Sequence, residues 1–228
     1  MSYPWGDVSA AWDREYRSGR YIGEPPVPFV RDIIATARSE GLLGAPGLYI
    51  GCGNGRNFTP LVDAGLDLTG LDVSRAALLA MAERAPELEN KLVHGDLSAL
   101  PPGSSFKIVV GIQVFQHGSR ETCHEHIREA QRLIDPGGIL ALRVNAADTD
   151  IEYKHELVER QDGSGYTIRY LEGPKEGLLV HFFDVGELEG LFADEFRVAL
   201  PVGLDSTRRQ SPRTGQWSQW EGIWMRES

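Results

Sequence analysis

The residues best suited to chemistry in this chain of 228 residues are a glycine-rich turn, two aspartates and a histidine. Gly51-Cys52-Gly53-Asn54-Gly55 follows the apolar run Gly47 to Ile50 and leads into a helical pattern. Glycines at such a junction let the backbone turn sharply and approach a ligand closely. The free N–H groups and positive end of the following helix suit an anionic or polar ligand. The turn continues into Arg56 and Asn57 without completing the GxGxxG dinucleotide fingerprint; alone it is weak evidence, an ordinary strand-to-helix turn being the plainer reading. Asp72 closes the next apolar run, Leu66 to Leu71. In an open α/β sheet that sets it beside the glycine turn, at the carboxyl ends of the strands where ligands bind. A carboxylate there can accept both hydroxyls of a ribose; its plainer role is to cap the helix that Ser74 opens. Asp96, in HGDLSALP, lies on the same rim. A carboxylate suits an exocyclic adenine amine and the Leu97 N–H a ring nitrogen, with an Asx turn as the plainer role. His117, in IQVFQHG, is the best-placed proton acceptor, with an ordinary pKa of about 6.5, or else it orders its loop. His94 and His181 are weaker candidates, and His124 and His126 fall on a helix expected to be exposed.

Positioning these groups takes alternating strands and helices. Residues 8–17 read as a short helix, and Pro25, Pro26 and Pro28 then force an irregular crossing. Phe29 to Ser39 is amphipathic and closed by Gly41. Strands are expected at 47–50, 66–71, 91–94, 107–111 and 138–144. The helices between them run from the glycine turn to about Ala64, from Ser74 to Pro86, and from Glu121 to Leu133, the last ended by an Asp135-Pro136-Gly137-Gly138 turn. This alternation implies right-handed βαβ units and a parallel sheet. Beyond Asn145 the rhythm changes. Residues 166–171 and 178–182 have strand character, 185–192 look helical, and 196–202 pair antiparallel with 217–225 across the long loop GLDSTRRQSPRTGQ. The tryptophans of WSQWEGIW read as core.

A formal net charge of −10 argues against a nucleic-acid partner, since cationic side chains supply most non-specific affinity for phosphate. Two cysteines without CxxC spacing, Cys52 and Cys123, argue against a disulfide or a thiolate metal site, and no metal is expected. The first twenty residues lack an apolar signal core, and no run approaches the roughly 18 apolar residues of a membrane span. A cytoplasmic protein, away from membranes and built as a single domain over 1–228, is the expectation.

GCGNGR, GLDVS, HGDLSALP, FKIVVGIQVFQH and LIDPGGILAL occur in the order seen in class I S-adenosylmethionine-dependent methyltransferases, and residues 45–145 resemble that family's cofactor-binding core. The resemblance implies an α/β, doubly wound, seven-stranded, mostly parallel sheet with an antiparallel last strand. It implies S-adenosylmethionine as cofactor, with Gly51 and Gly53 beneath the methionine moiety and Gly55 completing the loop. Asp72 would hold the ribose with Val73 beside it, Asp96 and Leu97 the adenine, and Gln113 would face the cofactor from the fourth strand. Two positions depart from the family pattern. Tyr49 stands where an acidic residue commonly helps hold the methionine ammonium, and Lys107 where an aspartate often opens the fourth strand. WDREYRSGRYIGEPP is similar to the leading segment of the tellurite-resistance and thiopurine methyltransferase branch. Residues 1–40 thus become a lid, with Trp12, Tyr16 and Tyr21 as substrate contacts, or else aromatics packed on the core. Residues 146–228 would hold substrate-recognition elements and the final strands, with His181 as a further contact. Arg208, Arg209 and Arg213 could meet an anionic substrate group but read better as a solvated loop. The expected reaction is methyl transfer to an oxygen or nitrogen of a small-molecule acceptor. A thiol, a peptide, a non-catalytic binding protein and a nucleotide-dependent oxidoreductase are the alternatives.

Overall fold

The computed structural model describes residues 5–19, 21–161 and 164–227; residues 1–4 and 20 of the expected lid segment lie outside these. The strands are β1 (Pro46–Ile50), β2 (Asp67–Asp72), β3 (Leu92–His94), β4 (Phe106–Ile112), β5 (Ile134–Asn145), β6 (His155–Gln161), β7 (Ser164–Tyr170), β8 (Leu179–Phe182), β9 (Phe196–Arg208) and β10 (Gln216–Arg226). The helices are α1 (Trp5–Arg17), α2 (Phe29–Ser39), α3 (Phe58–Asp63), α4 (Arg75–Arg84), α5 (Arg120–Arg132) and α6 (Val185–Gly190). Seven strands make one sheet in the order β3-β2-β1-β4-β5-β10-β9. β1, β2 and β3 pair in parallel, and β10 runs against both β5 and β9. This is the doubly wound, Rossmann-like arrangement expected from the sequence. The chain divides into two compact units, 1–110 and 111–228.

In the first unit β1 is buried from Gly47 to Ile50, as a parallel strand covered on both faces must be. Helix α2 buries Phe29, Ile33 and Ala37 on one stripe. It stops in a Schellman turn: Leu42 N–H reaches Ala37 O at 2.8 Å and Gly41 N–H reaches Arg38 O at 3.2 Å. Gly41 takes the left-handed φ of 70° that this closure needs. Helix α4 starts at Ser74, whose Oγ accepts from Ala77 N–H at 3.2 Å. It ends because Pro86 disfavours helical geometry at the residue before it; Ala85 has φ −139° and ψ 73°.

The second unit corrects several boundaries. β5 begins at Ile134, so Asp135-Pro136-Gly137-Gly138 lies within the strand instead of forming the turn before it. Proline is tolerated near a strand start, where its missing N–H costs little, and Gly137 absorbs the bend at φ 75°. β6, β7 and β8 form a separate antiparallel sheet. Its buried side is Ile168, Tyr170, Val180 and Phe182, with Ile151, Tyr153 and Tyr166 packed against them. β6 is a strand the sequence concealed: every residue is exposed, so no apolar alternation marks it. β9 and β10 pair from Phe196–Arg226 to Arg208–Gln216. Half of the expected long loop is therefore strand, and only residues 209–215 connect the two. Trp224 is core, stacked on Phe192 at 4.0 Å between ring centroids, whereas Trp217 and Trp220 are half-buried. Arg209 and Arg213 both face Glu152, at 3.5 and 3.3 Å, so two of the three clustered arginines fasten the hairpin connection, while Arg208 is exposed.

Candidate functional site

The register of β1 on β2 builds the first part of the site. Ile50 pairs with Leu71, so the chain leaves β1 at Gly51 just where Asp72 ends β2. Gly51 and Cys52 N–H both donate to Leu71 O, at 2.8 and 3.2 Å, and Gly51, Gly53 and Gly55 take φ of 71°, 56° and 87°. Only glycine adopts these values cheaply, so the loop's glycines are a backbone requirement. Asp72 is buried, and its two oxygens accept from Gly53 N–H and Ser74 N–H, each at 2.7 Å. Burial pushes its carboxyl above the ordinary value, and the two N–H donors counter this only in part. A carboxylate has about four acceptor positions, so two remain for a ligand. The neighbouring Cys52 thiol is pushed up by burial and by the Asp72 charge, which keeps it protonated and without nucleophilic character.

Tyr49 is buried, and burial pushes its phenol up against a hydrogen bond with Asn57. Asn57 Oδ1 also accepts from Val27 N–H at 3.0 Å. A neutral phenol thus occupies the position where the family usually carries an acid, and Asn57 links β1 to the segment entering α2.

Helix α1 supplies residues that the sequence reading passed over. Asp13 Oδ1 accepts from Ser74 Oγ–H at 2.6 Å and Ala76 N–H at 3.1 Å, and Ser9 Oγ–H donates to Val73 O at 2.8 Å. The same helix lays Tyr16 on the glycine loop, where a Cβ at Gly53 would run into Tyr16 Oη. Burial and the Asp72 charge push the Tyr16 phenol up, so it stays a proton donor. Trp12 and Tyr21 flank it, with centroids 6.2 and 5.9 Å away, and Tyr21 holds the strained φ of 66°. The three aromatics expected as a lid are one cluster. Asp13 left one sign in the sequence: its three-residue spacing from Tyr16 sets both on one helix face.

Asp96 follows β3, half-buried with Leu97. Its Oδ1 accepts from Ser98 N–H at 2.9 Å and Ser98 Oγ–H at 2.5 Å, opening a single turn of 3₁₀ helix at Leu97–Ala99. The Asx-turn role is therefore filled, and its other oxygen carries no side-chain bond within that turn.

In the second unit, Gln113 follows β4 with φ 60°, a backbone strain that ordinary packing does not ask for and functional positions often hold. His117 is buried; burial, with the nearby Lys175 charge, depresses its pKa to about 3. It is neutral at physiological pH and a weaker base than its type suggests. Two expectations are corrected here. His124 and His126 are buried on α5, not exposed. His181 is fully buried, with Nδ1 on Thr167 Oγ1 at 2.9 Å and Nε2 on Glu187 Oε2 at 3.1 Å; both nitrogens are engaged, leaving none for a substrate. Glu187, unmarked in the sequence, is the centre of this group. It accepts from Arg120 Nε at 2.6 Å, His124 Nε2 at 2.7 Å and Gly165 N–H at 3.0 Å. Burial alone would raise its carboxyl, but the histidines and Arg120 hold it far below the carboxylate range.

His124, His181 and Glu187 offer donor atoms within 4.8 Å of one another. A metal is disfavoured there on two grounds. The Arg120 cation already holds the same carboxylate, and the 2.7 Å from His124 to Glu187 is a hydrogen bond. Ligands around a tetrahedral zinc, each about 2.1 Å from it, stand roughly 3.4 Å apart.

Residues 48–138 match the family described as "Methyltransferase domain". No curated protein matches the chain in sequence. Among solved structures, magnesium protoporphyrin IX methyltransferase from Synechocystis, with bound S-adenosylmethionine, shares 18% identity over 100% of this chain and 99% of its own, with a TM-score of 0.68. The 1,6-didemethyltoxoflavin-N1-methyltransferase of Burkholderia thailandensis, with bound 1,6-didemethyltoxoflavin and S-adenosylhomocysteine, shares 18% over 100% and 92%, with a TM-score of 0.65. TehB from Haemophilus influenzae shares 16% over 94% and 67%, with a TM-score of 0.64. At such identities the likeness is one of fold. Among the described residues no helix is long and apolar enough to cross a membrane. The match to a methyltransferase domain lies over residues 48–138, and the order of the seven strands with β10 antiparallel is that of the Rossmann-like methyltransferase fold.

Proposed function

We propose that the chain methylates a nitrogen or oxygen of a small molecule, binding S-adenosylmethionine through the loop 51–55, Asp72 with Val73, and Asp96 with Leu97. The observation that carries this reading is Asp72: it is buried at the end of β2, anchored by Gly53 and Ser74, and has acceptor capacity left for two ribose hydroxyls. Three positive-φ glycines beside it turn the backbone sharply there without side chains. The cofactor supplies an electrophilic methyl group; the chain's task is alignment, which can contribute up to about 7–11 kcal/mol. His117, held neutral with a pKa of about 3, suits an acceptor needing little deprotonation, such as a neutral amine or heteroaromatic nitrogen. Trp12, Tyr16 and Tyr21 would close over the reacting groups and exclude water.

Calorimetric titration with S-adenosylhomocysteine, with NADH as control ligand, tests this reading. Binding of the first alone is expected. Absence of binding in folded, ligand-free protein would remove the assignment of the loop, Asp72 and Asp96.

A further inference from the structure

We infer that Asp13 is a positioning residue for the cofactor pocket: its carboxylate fastens α1 to the start of α4, holding Tyr16 over the glycine loop and Asp72 in its ribose-facing orientation. The inference rests on the reading of residues 51–55 and Asp72 as the cofactor site.

A continuous set of hydrogen bonds carries it. Asp13 Oδ1 receives Ser74 Oγ–H at 2.6 Å and Ala76 N–H at 3.1 Å. Ser74 N–H in turn donates to Asp72 Oδ1 at 2.7 Å, and Asp72 Oδ2 receives Gly53 N–H at 2.7 Å. The path runs from a helix outside the sheet, through the cap of α4, to the loop itself. Ser74 has two tasks at once: its oxygen caps Ala77 N–H and its proton goes to Asp13. With Asp13 in place the Ser74 hydroxyl has one allowed orientation, which fixes the peptide that holds Asp72.

The same bond decides where Tyr16 lies. Asp13 and Tyr16 are three positions apart and share a helix face, so seating Asp13 on α4 seats the phenol over Gly53. Ser9 Oγ–H on Val73 O makes a second tie one turn earlier. Arg17 approaches the outer oxygen of Asp13 at 3.2 Å but is largely exposed, and such pairs contribute little. Burial raises the Asp13 carboxyl, yet the bonds from Ser74 and Ala76 outweigh it and hold the group below its ordinary value, so the tie persists through neutral pH.

The test uses the full chain and S-adenosylhomocysteine as probe, reading affinity by calorimetry and dissociation by stopped-flow fluorescence. Asp13→Ala is expected to weaken affinity about tenfold through faster dissociation, as loss of a charge-assisted bond implies. Asp13→Asn keeps an acceptor oxygen for Ser74 and Ala76 and is expected within about threefold of wild type, a rescue that a purely electrostatic role would not give. Wild-type dissociation in Asp13→Ala, or Asp13→Asn as weak as Asp13→Ala, overturns the inference. If Asp13→Ala does not fold, Ser9→Ala loosens the same helix without touching the α4 cap; about threefold faster dissociation is expected, and none overturns the tie. Wild-type protein that binds no S-adenosylhomocysteine refutes the cofactor reading itself, a separate outcome.

Discussion

Replacing Glu187 by Gln isolates a buried electrostatic cluster in the second unit. The substitution keeps the side chain's volume and removes its charge. In the wild type the carboxylate accepts from Arg120, His124, His181 and Gly165 N–H. An amide retains one acceptor oxygen and turns an NH₂ toward groups that are themselves donors, so at least two bonds are lost or reversed. The Glu187 side chain is 1% exposed and Arg120's 32%, so water replaces the missing partner only on the arginine's side. Breaking a buried pair from one partner typically costs about 3–5 kcal/mol. For a chain of this length each kcal/mol lowers the unfolding temperature by about 2–4 °C, giving a fall of roughly 6–20 °C. Urea unfolding followed by tryptophan fluorescence measures it directly. A loss under about 1 kcal/mol would refute the cluster as a stabilising unit. The pH dependence has a definite sign. A carboxyl held below its ordinary 4.5 contributes stability that is fully present above that value. The contribution is lost as pH falls through the lower folded value. Glu187→Gln should therefore flatten the acid limb of the stability profile below about pH 4.5. EDTA should leave the wild-type unfolding temperature unchanged; a large drop would mean that a metal, not hydrogen bonding, holds the three side chains.

Three further outcomes follow from the site and core. Asp72→Ala should weaken S-adenosylhomocysteine at least about tenfold by calorimetry, from lost charge-assisted bonds; unchanged affinity would show that the ribose lies elsewhere. Because burial holds His117 neutral with a pKa of about 3, turnover should show no inflection near pH 6.5, and His117→Ala should lower turnover more than cofactor affinity; an inflection there that disappears in the variant would contradict the burial effect. Trp224→Ala removes a buried indole stacked on Phe192 and should cost about 3–5 kcal/mol in urea unfolding, whereas a loss under 1 kcal/mol would mean that the hairpin repacks.

What could be read from the sequence was whatever repeats a local rule. The parallel strands announced themselves as short apolar runs, and Ser74, Gly41 and Pro86 marked helix ends through their own backbone chemistry. The glycine loop and Asp72 were legible because strand-end positions follow from topology. β6 was invisible because HELVERQ has no buried face. The pairing of 196–202 with β10 was legible, but its extension to Arg208 was hidden for the same reason, since Ser206, Thr207 and Arg208 are exposed residues held by β10 and not by a core. His124 was misplaced because a histidine counts as polar until Glu187, more than sixty residues later, supplies a partner, and His126 is buried on the same helix. Asp13 escaped notice for that reason too: its partners Ser74 and Ala76 are distant in sequence, and only the docking of α1 brings them together.

The fully exposed β6 has a consequence for how this chain can change over generations. Besides its backbone ladder with β7 and the surface contacts of Glu156 with Arg169 and Arg160 with Tyr166, the strand is held through Glu159, which accepts from Arg120 N–H and Thr167 Oγ–H, both at 2.7 Å. The remaining positions face solvent, so mutations at Glu156, Leu157, Val158 or Arg160 carry little folding penalty. β7 and β8, pinned from behind by His181 and Glu187, tolerate far less. A lineage of such proteins can therefore drift rapidly along one strand while its neighbours stay put, a division that lets new surface chemistry be sampled without risking the fold.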